Sequence, residues 1–253
     1  MDQEKNQKIF LHDVSKTFKI GMNVRNNALT RFINSLTGKE RKKAIKVIDS
    51  ISLTVSAKEN LGIIGGNGSG KSTLLRLIAG IYQRDSGVIK TNGRTIYING
   101  FDIGLKKRLS MRDNIFLIGS IMGLNQKEIK KRFNLIVDFT GLSEFIDTKV
   151  YQFSYGMIRR LCFSTTIFCL KENNPEILLL DEVFGSGGDF EFQKKAITKM
   201  EEFIKQGSLV ILVSHDVEII KKYCHRAILL EKGQIKKEGP PSVVVDFYLK
   251  NKK

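Results

Sequence analysis

Short apolar runs and longer helical periods alternate along this chain, and the points of changeover set its layout. Residues 9–18 and 47–55 carry β-branched and apolar side chains at nearly every second position, the repeat of a half-buried strand. Between them Leu29, Phe32, Ile33 and Leu36 recur at helical spacing on a short amphipathic segment that Gly38 ends. Residues 61–64 form an apolar strand that runs straight into glycines. A helix is predicted over 71–79, stopped by Gly80. Residues 88–91 and 94–98 are predicted to pair as a hairpin across Asn92-Gly93, a dipeptide suited to a two-residue turn.

From 113 to 170 the period is helical. Asn125 with Glu128 makes a capping box, and Ile129, Phe133, Ile136 and Val137 mark one face of the helix that follows. The α/β rhythm then resumes with strand 177–180, helix 190–205, strand 209–213 and helix 217–224. A last hairpin, 227–230 with 234–237, turns at Lys232-Gly233. Short apolar strands alternating with helices imply an α/β fold with a mainly parallel sheet covered on both faces. The expected organisation is one domain over 1–253. Segments 1–112 and 171–253 form a core with an antiparallel β subdomain, and 113–170 is an inserted helical subdomain.

Composition narrows the classes. The chain has 253 residues, 42% of them hydrophobic, enough for a real core. No uninterrupted apolar run approaches the roughly 18–20 residues that cross a bilayer. Residues 161–170, the most apolar stretch, include Ser164, Thr165 and Thr166 and read as a buried helix. Residues 1–8 are polar and mixed in charge, so no secretory signal is expected. Work at a membrane would therefore require another chain as anchor. Cys162, Cys169 and Cys224 have apolar flanks or no metal-ligand spacing, and are read as buried, reduced thiols.

The formal charge is +16. It is densest from 19 to 46, where eight basic residues face the single acid Glu40. A solvated loop, a contact with anionic lipid headgroups or an acidic partner, and a nucleic-acid contact all fit that density. No zinc-finger spacing or RNA-recognition signature accompanies it, so nucleic acid is not an expected partner.

The chemistry concentrates in three places. Gly65, Gly66, Asn67, Gly68, Ser69, Gly70, Lys71 and Ser72 satisfy the Walker A pattern of a P-loop at every fixed position. Phosphate oxygens sit against consecutive backbone N–H groups there, so side chains are excluded where the loop wraps the ligand. The following helix presents its unpaired N–H groups to the same anion. Lys71 would meet the β- and γ-phosphates and the Ser72 hydroxyl would ligate Mg²⁺. Residues 177–180 end in Asp181 and Glu182, a Walker B pattern that delivers two carboxylates to the sheet's carboxyl edge. Asp181 is the candidate for Mg²⁺ and Glu182 for polarising the attacking water. His215 follows strand 209–213 and opens a helix with Asp216, where it can reach a γ-phosphate. His12 and His225 have no such setting and are read as surface or packing residues.

Together these residues resemble the ATP-binding cassette (ABC) family over nearly the whole chain. Phe153-Ser154-Tyr155-Gly156-Met157, at a helix start upstream of Walker B, looks like that family's signature motif. The resemblance implies a P-loop NTPase (RecA-like) core and ATP with Mg²⁺. Lys71, Glu182 and His215 would be catalytic, Gly65 to Thr73 would bind nucleotide, and Ser72 and Asp181 would hold the metal. It also implies a head-to-tail pair of cassettes, in which Ser154 and Gly156 clasp the γ-phosphate bound to the partner chain. Within the family, Ser154-Tyr155-Gly156-Met157, Leu109-Ser110-Met111-Arg112-Asp113-Asn114, Asp181-Glu182-Val183-Phe184 and the basic insertion before Val47 are similar to polysaccharide exporters of O-antigen, capsule or teichoic acid.

That resemblance implies a separate transmembrane permease, received by residues from about 100 to 122. It further implies peripheral membrane contact and a location at the cytoplasmic face of the bacterial inner membrane. The chain stops near the end of the cassette, so the additional sugar-binding domain of some members is expected to be missing. Three departures stand out. Ala44-Ile45-Lys46 lacks the aromatic residue that stacks on adenine, so base stacking is expected to be weak or supplied from elsewhere. Gly100 aligns with the Q-loop side chain, and the D-loop, Gly185-Ser186-Gly187-Gly188-Asp189, is one residue longer. A transporter of another substrate and a non-transport regulatory or nucleic-acid-associated cassette are the alternative readings.

Overall fold

In chain order the strands are β1 (Gln7–Ile20), β2 (Lys43–Ser56), β3 (Asn60–Ile64), β4 (Ser86–Thr91), β5 (Thr95–Asn99), β6 (Ile177–Asp181), β7 (Leu209–Val213), β8 (Arg226–Glu231) and β9 (Gln234–Gly239). The helices are α1 (Lys71–Ile78), α2 (Met111–Ile121), α3 (Gln126–Thr140), α4 (Tyr155–Cys169), α5 (Phe190–Lys205), α6 (Val217–Tyr223) and α7 (Pro241–Lys250). The computed structural model describes residues 7–20, 43–99, 104–170, 176–183 and 190–251. The helix expected around Leu29 to Leu36, Gly100 and the Gly185–Asp189 loop lie outside the described residues.

Patterning decides which sheet each strand joins. β2, β1 and β4 form an antiparallel sheet in that order. Ile9, Leu11 and Val14 of β1, with Ile48, Ile51, Leu53 and Val55 of β2, bury one face of it. The second sheet has the order β5-β6-β7-β3-β8-β9, parallel except for β9. Every residue of β3, β6 and β7 is buried, as a sheet covered on both faces requires. Side chains alternate between two cores: Ile177 and Leu179 enter the one shared with α1 and the antiparallel sheet. Leu178 and Leu180 enter the one beneath α4, α5, α6 and α7.

The hairpin expected across Asn92-Gly93 does not form. β4 pairs with β1, and β5 pairs in parallel with β6, from Thr95 opposite Ile177 to Asn99 opposite Asp181. Asn92 N–H continues the first ladder by donating to Lys8 O at 2.8 Å, and Ile177 N–H opens the second by donating to Arg94 O at 3.1 Å. Gly93, at φ 139°, swivels the chain between the sheets. A two-stranded ribbon is marginal in water, whereas β5 in the large sheet buries Ile98 completely. The α7 helix was not foreseen either. Pro240-Pro241 opens it and Val244 and Val245 bury its inner face.

The helices α2, α3 and α4 enclose a third core around Met111, Ile115, Ile129, Ile136 and Leu161. Asn125 and Glu128 make the expected capping box, and Ser110 and Asp113 make a second one. Cys162 and Cys169 are buried and Cys224 is half-buried, all as reduced thiols. Burial pushes Cys169 up to about 11 and Cys224 to about 12. Among the described residues, no helix is long and apolar enough to cross a membrane.

Candidate active site

The carboxyl ends of β3, β6 and β7 meet at one edge, and each delivers part of a polar cluster. β3 runs into the loop of residues 65–70, and α1 begins at Lys71. Two glycines of the loop are dictated by space: a Cβ on Gly65 would lie 2.2 Å from Leu230 O, and one on Gly70 2.8 Å from Val47 O. Gly66, Asn67 and Gly68 face solvent while Ser69 and Lys71 are buried. Lys71 Nζ donates to Gly65 O and Gly66 O, both at 3.0 Å, closing the loop on itself. Burial holds this amine below the ordinary lysine value, opposed by the negative charges of Glu182 and Asp181.

Asp181, at the end of β6, is buried. Both of its oxygens are engaged: Ser72 Oγ donates to Oδ1 at 3.0 Å, and Tyr97 OH donates to Oδ2 at 2.7 Å. Arg76 Nε donates to Tyr97 OH at 3.2 Å. Burial raises the Tyr97 phenol, and the Asp181 carboxylate raises it further. Neither Tyr97 nor Arg76 was foreseen. The parallel register that sets Tyr97 opposite Leu179, two residues before Asp181, is what brings the phenol to the carboxylate.

Glu182 stands at φ 55°, a left-handed conformation rare for a glutamate. Its N–H donates to Val213 O at 3.0 Å, and its carbonyl accepts from Arg159 Nη2 at 2.6 Å. Oε1 lies 3.2 Å from Nε2 of His215, which follows β7. This oxygen is out of reach of solvent and has no aligned hydrogen-bond donor. Burial raises the Glu182 pKa, while His215 and Lys71 oppose the rise and Asp181 adds to it. Asp216 caps α6, its side chain accepting from Glu218 N–H at 3.0 Å. His225 instead packs at the far end of β3, where its Nδ1 accepts from Asn60 N–H at 3.0 Å.

The fold thus gathers residues 65–72, Asp181, Glu182 and His215 into one cluster. Ser154 and Gly156 belong elsewhere. Ser154 caps α4, accepting from Met157 N–H at 3.3 Å. Among the described residues, no hydrogen bond or ion pair joins either of them to residues 65–73. A Cβ on Gly156 would meet only the Ser154 hydroxyl, at 4.0 Å. Ala44-Ile45-Lys46 carries no aromatic side chain, but the ladder sets Phe18 directly opposite Ile45. Phe18 is half-buried in edge contact with Tyr82, the ring centres 5.4 Å apart.

A backbone cradle for phosphate, a hydroxyl–carboxylate pair and a second carboxylate beside an imidazole suit phosphoryl chemistry. The family model for ABC transporters matches residues 48–185, just over half of the chain. The chain belongs to the ABC transporter family. It is 36% identical over 246 residues to an O-antigen export system ATP-binding protein, RfbB, of Myxococcus xanthus, covering 95% of this chain and 55% of that one. It is 38% identical over 218 residues to a teichoic acids export ATP-binding protein, TagH, of Lactococcus lactis, covering 85% of this chain and 46% of that one. It therefore spans about half the length of these two ABC relatives. A dimeric ATP-binding cassette solved in a post-hydrolysis state with ADP and Pi has the same fold, at TM-score 0.70 and 22% identity, covering 92% of this chain and 98% of that one.

Proposed function

We propose that this chain is the ATP-binding and ATP-hydrolysing subunit that powers an ABC exporter of a cell-surface polysaccharide of O-antigen, capsule or teichoic-acid type. The observation that carries the catalytic part is the meeting of the phosphate loop with Ser72, Asp181, Glu182 and His215 at one sheet edge. The substrate class rests on the export relatives. Residues 65–73 cradle the phosphates, with Lys71 turning from its own loop carbonyls to the β- and γ-oxygens. Glu182 orients the attacking water through a carboxylate that stands 3.2 Å from His215 Nε2. His215 steadies Glu182 and the charge developing on the γ-phosphoryl group.

The donor set at Ser72 and Asp181 fits Mg²⁺. Ser72 and Asp181 would hold the ion with hard oxygen donors, the kind it prefers. No group of three or more His, Cys, Asp or Glu competes as a metal centre among the described residues. When bound, the ion neutralises charge between the β- and γ-phosphates. A second copy packs head to tail, so that Ser154 and Gly156 of each chain clasp the other's γ-phosphate. This supports reading residues 1–112 and 171–253 as the ATP-binding core and 113–170 as a helical arm serving the partner. A separate transmembrane permease, received around residues 100–122, carries the substrate and holds the pair at the cytoplasmic face of the inner membrane. Exposed Ile121 and Leu109 give that surface an apolar character.

The test is steady-state ATPase of the purified chain. Glu182→Gln should abolish turnover, by on the order of 100-fold or more, while K71A should lose nucleotide binding first. Undiminished turnover in the glutamine variant ends the assignment of Glu182. For the substrate class, the chain should co-purify with a multispan membrane protein encoded among glycosyltransferase genes.

A further inference from the structure

Under the reading just given, α4 and Glu182 serve different ATP sites: the start of α4 meets the partner's nucleotide, and Glu182 acts on the nucleotide of its own chain. Arg159 joins them within each chain. Arg159 lies one helical turn after Tyr155 on α4. Its Nη2 donates to Glu182 O at 2.6 Å and to Val183 O at 2.8 Å. Its guanidinium carbon also stands 6.0 Å from the centre of the Tyr155 ring. The donor reaches two consecutive carbonyls at the turn where β6 ends, so it fixes a stretch of backbone.

That stretch needs fixing. At φ 55° Glu182 occupies a conformation that its own Cβ disfavours. Such a residue persists only where its surroundings over-determine it, and such outliers gather at functional sites. Among the described residues, the Glu182 backbone is held from two sides. Val213 O in β7 receives its N–H, and Arg159 in α4 donates to its carbonyl. The sheet is a rigid anchor. The helix reaches the surface at Ser154 and exposed Tyr155, so it is the one of the two supports that a partner can touch.

We propose that Arg159 is a positioning residue that holds Glu182 in its left-handed conformation from α4, making the glutamate of each chain respond to the clasping of the partner's nucleotide. This rests on the shared-site reading above. A shift of α4 on its partner's phosphate passes through one helical turn to the Glu182 carbonyl. The Glu182 side chain then moves relative to His215 and to the attacking water. Misplacement by about 1 Å at such a group costs on the order of 100-fold in rate, so a small movement of the helix suffices to gate turnover.

The experiment compares wild type, Arg159→Ala, Arg159→Gln, Arg159→Lys and Glu182→Gln as full chains. Turnover is followed across ATP concentration, and nucleotide affinity is measured separately with a fluorescent analogue. Arg159→Ala should lower kcat by on the order of 10- to 100-fold, leave KM and affinity within about twofold, and bring the Hill coefficient toward one. Arg159→Lys, which can still donate to a carbonyl, should recover part of the kcat. Unchanged kcat, or affinity falling in step with kcat, overturns the proposal. A reduced kcat with an unchanged Hill coefficient overturns the link to the partner's site. If the alanine variant does not fold, Arg159→Gln carries the same test: kcat should fall with KM kept, and wild-type kcat overturns the idea. Glu182→Gln separates the two readings. If it keeps wild-type turnover, the assignment of Glu182 fails first. If it is inactive while Arg159→Ala is not, only the Arg159 inference fails.

Discussion

Lys71 and Glu182 carry opposite charges in the same buried corner, and both are held away from their ordinary ionisation by desolvation. Under the proposed function, nucleotide draws Lys71 off the two loop carbonyls it now holds, so the hydrogen bonds of the amine are exchanged on binding. For Glu182 the consequence is a pH-dependent cost. Its folded pKa lies above the ordinary 4.5, so between the two values the unfolded chain has released a proton that the folded chain keeps. Stability therefore falls as pH rises through that window and stays lowered above it. Glu182→Gln removes the charge and should melt higher than wild type at pH 7.5 without nucleotide, by about 2–4 °C for each kcal/mol relieved. The gap should close as the pH falls below 4.5. Equal melting temperatures at pH 7.5 would contradict a desolvated carboxylate.

Elements differ in how openly the sequence declares them. The capping box of Asn125 and Glu128 was legible because its two residues stand at the start of an apolar helical period. Ser110 with Asp113 forms an equivalent box, Ser110 Oγ accepting from Asp113 N–H at 3.1 Å. It was missed as a cap because the residues after it have no clear apolar face in sequence. Ser110→Ala should cost about 1 kcal/mol, read from denaturant melts, and Ser110→Asn should keep most of it. A loss within error for the alanine variant would mean that the box adds nothing to α2. The 88–98 segment failed for a different reason. Asn92-Gly93 does turn the chain, but a turn dipeptide constrains only φ and ψ and does not choose which strand lies alongside.

At the scale of the whole molecule, no hydrogen bond or ion pair joins Ser154 or Gly156 to their own phosphate loop among the described residues, so a shared site predicts complementation. Gly156 has room for a side chain. An aspartate there should leave its own chain folded while repelling the partner's phosphate. Gly156→Asp and Lys71→Ala chains should each be inactive alone. Mixed in equal amounts, random pairing makes half of the dimers heterodimers with one intact site, restoring up to about a quarter of wild-type ATPase. No recovery on mixing, with exchange of subunits verified, would argue against sites built from two chains.

The residues of the candidate site were legible in the sequence itself. The loop of Gly65 to Ser72, the acids ending an apolar strand and the histidine after another are short-range patterns, each written in a few consecutive residues and each delivered by one strand end. Helical and strand periods likewise follow from spacing of 3.6 and 2 residues, which is why α5 and β7 match their expected limits. Tertiary structure alone decided the partners. The separation of β4 from β5, Phe18 opposite Ile45, Tyr97 on Asp181 and Arg159 on the Glu182 backbone join residues far apart in the chain. They depend on which buried surfaces the whole fold can satisfy together, and no local preference encodes that.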